Sequence, residues 1–178
     1  MAALGLNLAW EWIYGVRGLV VGPSPQAVIN IIWGVADLVI VYTFLRYGRS
    51  ELPRFVTAWM FAIWGVVLFG VSFAVQGMFL AHFEPFDAAR YSAFLQNALM
   101  SGLFVAMFVA RGGMRGQSRT IAVAKWVGTL APTILYGVIL DAPFILGLGI
   151  ICSVFDLIYI VLVFRARAWA VEQQRPTG

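Results

Sequence analysis

The chain has 178 residues, of which 62% are hydrophobic and 11% charged, with a formal net charge of +4. That balance lies well outside the soluble range and excludes an ordinary globular enzyme of the aqueous phase. A single cysteine, Cys152, and a single histidine, His82, exclude an internal disulfide and any metal centre built on cysteine or histidine clusters.

Apolar runs of about 20 residues recur along the chain, each long enough to cross ~30 Å of hydrocarbon. They predict an all-α, polytopic membrane helix bundle of about six transmembrane helices: 3–22, 26–47, 54–82, 88–111, 118–140 and 143–166. No basic region precedes the first run, which holds Glu11, so no cleavable signal peptide is expected. Gly22-Pro23-Ser24-Pro25 ends the first helix, and Gly48 to Pro53 separates the second from the third. Glu84-Pro85-Phe86-Asp87 makes the next turn, a glycine-rich basic loop runs from Arg111 to Ser118, and Asp141-Ala142-Pro143 is a tight break. Gly65, Gly70, Gly77, Gly102, Gly128, Gly137, Gly147 and Gly149 are expected to permit close helix packing. Pro132 is expected to kink the fifth helix and free a carbonyl. The tail from Arg167 reads as polar and frayed. No internal repeat or linker is evident, so residues 1–178 read as a single integral-membrane domain.

Charge in the loops sets the topology. Arg46, Arg49, Arg54, Arg111, Arg115, Arg119, Arg165, Arg167 and Arg175 fall on one side, and Arg90 with Glu84, Asp87 and Asp141 on the other. By the positive-inside rule both termini are cytoplasmic, and a bacterial cytoplasmic membrane is the expected setting. Basic residues spread through short loops in this way orient a membrane protein, and no nucleic-acid partner is expected.

Three acids, Glu11, Asp37 and Asp156, sit inside the spans. A carboxylate near the middle of a bilayer is costly and points to function. At 1.5 Å per residue Glu11 lies about 12 Å into its helix, and the other two fall near the centres of theirs. Asn7 lies one turn before Glu11, Trp33 one turn before Asp37, and Tyr159 three residues after Asp156. Trp10, Trp33 and Trp64 also lie within spans, and Gln76, Gln96 and Asn97 add amides. Lys125 and Arg17 are the nearest basic residues, and both are expected to be interfacial, Lys125 by snorkelling to the cytoplasmic surface. Desolvation without a positive partner disfavours the charged carboxyl, so at least one acid is expected to be neutral near pH 7. A neutral carboxyl in an aromatic-lined pocket can protonate an alkene or epoxide, and π faces can stabilise the resulting carbocation. On the residues alone a proton-coupled transporter, with the acids as a relay, stays open. So does a non-catalytic lipid-binding or assembly subunit in which the polar groups act only as packing contacts.

The segment Asn7-Leu8-Ala9-Trp10-Glu11-Trp12-Ile13-Tyr14 resembles the Asn-x-x-Trp-Glu-x-x-Tyr motif of the small integral-membrane terpene cyclases of meroterpenoid pathways, known from fungi with relatives in bacteria. The similarity continues through Trp33 to Tyr42 and Leu45-Arg46-Tyr47-Gly48, and ends with Val154-Phe155-Asp156-Leu157-Ile158-Tyr159. The resemblance implies a metal-independent, cofactor-free cyclase that starts by protonation. It marks Glu11 and Asp156 as the pair handling the initiating proton. Asp37 falls where family members carry an acid or an amide. Fungal members usually have seven helices, one of them before the glutamate helix. With six here, either the extra helix is dispensable or a partner or second copy of the chain covers the exposed face. Aspartate-rich diphosphate-binding clusters and the Asp-x-Asp-Asp motif are absent, so the expected substrate is an already prenylated, lipophilic isoprenoid. The expected roles are therefore Glu11 as proton donor, Asp156 as its helper or relay, and Asp37 as a candidate base. Asn7, Trp10, Tyr14, Trp33, Gln96 and Tyr159 are expected to contact the substrate.

Overall fold

The computed structural model describes residues 2–22, 24–114 and 116–173, the side chains of Glu51 and residues 167–173 excepted. Pro23, Arg115 and Arg175, which entered the loop reading, lie outside the described residues. The described residues form helices α1 (Ala2–Val21), α2 (Pro25–Tyr47), α3 (Ala58–His82), α4 (Pro85–Ala110), α5 (Arg119–Pro132) and α6 (Pro143–Gln173), and no strand. The chain is thus an all-α, multi-pass membrane protein. Five helical stretches, from 25–50, 58–82, 85–110, 119–139 and 143–166, are long and apolar enough to cross a bilayer. At 20 residues α1 is long enough, but Asn7, Glu11 and Arg17 lower its apolarity.

Local chemistry sets most boundaries. Ser24 caps α2 by accepting a hydrogen bond from the Ala27 amide at 3.2 Å, and Thr57 caps α3 through the Met60 amide at 3.3 Å. The third helix starts at Ala58 rather than at 54. Gly48–Glu51 forms a 3-10 turn, Leu52 is extended as the residue before Pro53, and a turn closed by the Val56 amide donating to the Pro53 carbonyl at 3.0 Å leads on to the cap. At Pro132 the fifth helix does not simply bend. It changes from α to a π-helix over Thr133–Ile139, because proline has no N–H to give the Gly128 carbonyl. The backbone of α6 continues helical to Gln173, past the expected end at 166.

The structure divides into two compact units, Met1–Gln96 and Asn97–Gly178, with α4 contributing to each. In the first unit α1 packs against α2 and α3. Its contact with α2 is an antiparallel seam. On α2 the buried residues are Ala27, Asn30, Gly34, Asp37 and Val41, spaced alternately three and four apart as in a coiled coil. Gly18 faces Ala27, Gly15 faces Asn30, and Gly34 faces Trp12 and Glu11. A side chain at Gly34 would approach Trp12 Nε1 at 3.1 Å, so the absence of one lets α1 and α2 close together beside Glu11. Large apolar residues such as Val20, Val39 and Val66 point outward, as suits lipid.

In the second unit α5, the π segment and α6 pack together. Phe108, Ala122, Tyr159 and Val163 form its core. Of the eight glycines expected to pack closely, two do so tightly, and Gly65 makes only an ordinary contact, 3.9 Å from the Leu45 side chain. Gly137 lies against the Leu146 backbone and Gly149 against the Thr133 side chain. Gly70, Gly77, Gly102, Gly128 and Gly147 have no neighbour within 4 Å of a would-be side chain among the described residues.

Candidate active site

Glu11 belongs to the buried stripe of α1, with Leu8 before it and Tyr14 after it at helical spacing. Its residue is 9% exposed, and its Oε2 is buried with no hydrogen-bond partner among the described residues. Asp37 lies one turn further along the seam, 6% exposed, and accepts a hydrogen bond from Asn7 Nδ2 at 2.7 Å. The two carboxyls are near enough to interact electrostatically. Asn7 thus bridges the helices: it sits one turn from Glu11 on α1 and holds the acid of α2. Neither carboxyl is ion-paired among the described residues. Burial thus brings two of the three acids together without a cation among the described residues.

Two aromatic residues of α1 near Glu11 reach α4. Trp10 and Tyr14 pack with ring centroids 5.3 Å apart, and Trp10 Nε1 donates to the Ala89 carbonyl of α4 at 3.0 Å. That bond pins the indole and leaves its faces for apolar contact. Tyr14 Oη is buried beside Ser92. Gln96 is used locally, accepting from Gln76 Nε2 at 3.2 Å, while Gln76 Oε1 is buried with no partner among the described residues. Trp33 departs from expectation. It is 58% exposed, because it lies to one side of the stripe that buries Gly34 and Asp37. Spacing of four places it near Asp37 along the helix but not on the seam.

Asp156 is in the second unit, and its surroundings correct the reading of Lys125. Lys125 does not snorkel to an interface. Its Nζ bonds Asp156 Oδ1 at 2.7 Å and Ser101 Oγ at 2.6 Å, with side-chain exposures of 9% for Lys125 and 1% for Asp156. The Lys125 ammonium also lies 5.8 Å from the Phe104 ring centroid. Close by, Asn97 Nδ2 donates to Thr129 Oγ1 at 2.9 Å, and Thr129 Oγ1 donates to the Lys125 carbonyl at 3.0 Å. Asp156 Oδ2 and Tyr159 Oη are buried with no hydrogen-bond partner among the described residues, Tyr159 packing its ring on Phe104 at 5.1 Å. Lys125 is the chain's only lysine, set in an apolar run among eleven arginines elsewhere (12 basic residues in all). That singularity was the available signal. Among the described residues no three His, Cys, Asp or Glu side chains gather as a metal site requires.

The model of the Pyr4-like transmembrane terpene cyclases matches residues 1–168. The terpene cyclase pyr4 of Aspergillus fumigatus is 26% identical over 98% of this chain and 78% of its own length. The Pyr4-family terpene cyclase mfmH of Annulohypoxylon moriforme is 26% identical over 76% of this chain, and the terpene cyclase cle7 of Aspergillus versicolor 27% over 73%. This chain spans little more than half of those two relatives, 56% and 54% of their lengths. No solved structure matches.

Proposed function

The chain belongs to the Pyr4-like transmembrane terpene cyclases, a family of membrane enzymes, and from that premise we propose that it cyclises the isoprenoid chain of an already prenylated, membrane-dissolved molecule by a protonation-initiated reaction. The observation that carries this reading is the Glu11 carboxyl, buried, with Oε2 unpartnered and with Trp10 and Tyr14 at helical spacing on the same helix. Two buried carboxyls in electrostatic reach of each other hold one negative charge more cheaply than two. Beside Asp37, which is already held by Asn7, Glu11 is the member free to carry a proton.

In this mechanism Glu11 gives its proton to a terminal alkene carbon or to an epoxide oxygen. The π pair, or the electrons of the breaking C–O bond, leave a cation that the next double bond attacks. Water restores the Glu11 proton between turnovers. The electrophile is the proton itself, so no metal is part of the scheme. The faces of Trp10 and Tyr14 stabilise the travelling charge, each such contact being worth on the order of 2 kcal/mol in a dry site. Asp37 shapes the pair by holding its one negative charge beside Asn7. Trp33, largely exposed, is left without a role. The basic loops lie on the cytoplasmic face in this reading, and both termini with them.

The test uses membranes containing the full chain, incubated with farnesylated hydroxyaromatic probes carrying a terminal alkene or a terminal epoxide. A cyclised product of unchanged mass, formed with one of the probes, supports the reading. Failure to cyclise any of them, together with probe-dependent proton flux in liposomes, would move the chain to the transporter class.

A further inference from the structure

We propose that Lys125 is a positioning residue of this reaction: it holds Asp156 as an anion with Oδ1 engaged and Oδ2 free, so that Asp156 acts as a proton acceptor and not as a donor. The inference rests on the reading of the chain as a protonation-initiated cyclase. It is carried by three observations made within one unit.

The first is the ion pair, Lys125 Nζ to Asp156 Oδ1 at 2.7 Å, with both side chains nearly excluded from solvent. Neutralising one partner of such a buried pair would leave the other charge uncompensated, at a large cost. The second is that Lys125 is itself fixed. Ser101 Oγ takes a further ammonium proton at 2.6 Å, and Ser101 in turn donates to the Asn97 carbonyl at 2.9 Å. The chain of bonds therefore aims Lys125 at one carboxyl oxygen and keeps it off the other. The third is Asp156 Oδ2, buried and without a partner among the described residues. A buried carboxylate oxygen is costly to leave unbonded, and its retention is explained if it receives a proton during turnover.

The step balances. As the cyclised cation loses a proton, the C–H electron pair becomes the new C=C bond and the proton moves to Oδ2. It leaves to water before the next turnover. Asp156 has a cation in contact, as Glu11 does not among the described residues. Environments that push two carboxyls to opposite protonation states are a recurring way to divide acid and base duties.

The experiment is infrared spectroscopy of the full chain in detergent, with aspartate carboxyls carbon-13 labelled. The chain has four aspartates, Asp37, Asp87, Asp141 and Asp156. At pH 7 Asp156→Asn is expected to remove a labelled carboxylate band and no protonated-carboxyl band. Lys125→Met is expected to convert that band to the protonated form, and the new band should be missing from the Lys125→Met/Asp156→Asn double variant. Turnover of the probe should fall about 100-fold in Lys125→Met, the scale of a lost acid–base group, and be largely retained in Lys125→Arg. Loss of a protonated band in Asp156→Asn overturns the proposal, as does an unmoved carboxylate band or wild-type turnover in Lys125→Met. Should Lys125→Met fail to fold, the Asp156→Asn difference spectrum decides alone. The infrared bands do not depend on turnover, so full activity in Glu11→Gln would refute the proposed function and leave this measurement intact.

Discussion

Gly137 and Gly128 lie in one membrane-crossing stretch, and replacing each by alanine separates packing from helix propensity. A methyl at Gly137 would stand 2.9 Å from both Leu146 Cα and Leu146 Cβ and 3.1 Å from Leu146 N. Two of those three atoms are backbone, so no rotamer change relieves the overlap, and α6 must move away from the π segment. Overpacking a tight contact costs about 1–3 kcal/mol, and a backbone clash belongs at the upper end. Alanine itself favours a helical backbone over glycine by about 0.5–1 kcal/mol, which leaves Gly137→Ala destabilised by roughly 2 kcal/mol. Gly128→Ala meets nothing within 4 Å among the described residues and should gain the propensity term alone. The assay is reversible unfolding in mixed micelles of a mild and a denaturing detergent, followed by circular dichroism. Equal stability of the two variants would refute the reasoning that Gly137, unlike Gly128, sets the spacing of α6.

Asn7→Leu removes the donor to Asp37 and leaves a buried carboxyl oxygen unsatisfied. It should cost about 1–3 kcal/mol in the same unfolding assay, and Asn7→Asp, which adds a third acid, should be at least as severe. Trp33→Leu changes an outward-facing side chain and should shift stability by no more than about 0.5 kcal/mol, with probe turnover within twofold of wild type. A large loss of turnover there would restore Trp33 to the site.

Much of the fold was legible because each apolar run is closed by proline, glycine or charge, and those breakers act locally. The caps Ser24 and Thr57 show the same local logic. The α-to-π change after Pro132 was not legible. Proline predicts a lost hydrogen bond, but not which helical geometry takes up the slack. At the site, Glu11 and Asp37 could be placed by helical spacing, since both lie on one seam, and Trp10 and Tyr14 by their spacing from each other on α1. Asn7 was linked to Glu11 by spacing, yet its hydrogen bond crosses to Asp37. Such a partner follows from helix register and not from a single helix. Lys125 was misread for a related reason. Its distance from the basic loop allowed it to turn outward, and only the packing of Ser101 and Asp156 around its ammonium turns it inward.

The central claim is that Glu11 supplies the initiating proton. Its most direct test is probe cyclisation by Glu11→Gln, which keeps the shape of the side chain and removes its acid, in protein shown by circular dichroism to be folded. The account predicts a fall of at least about 100-fold, as for loss of a general acid. Turnover at the wild-type rate would contradict it.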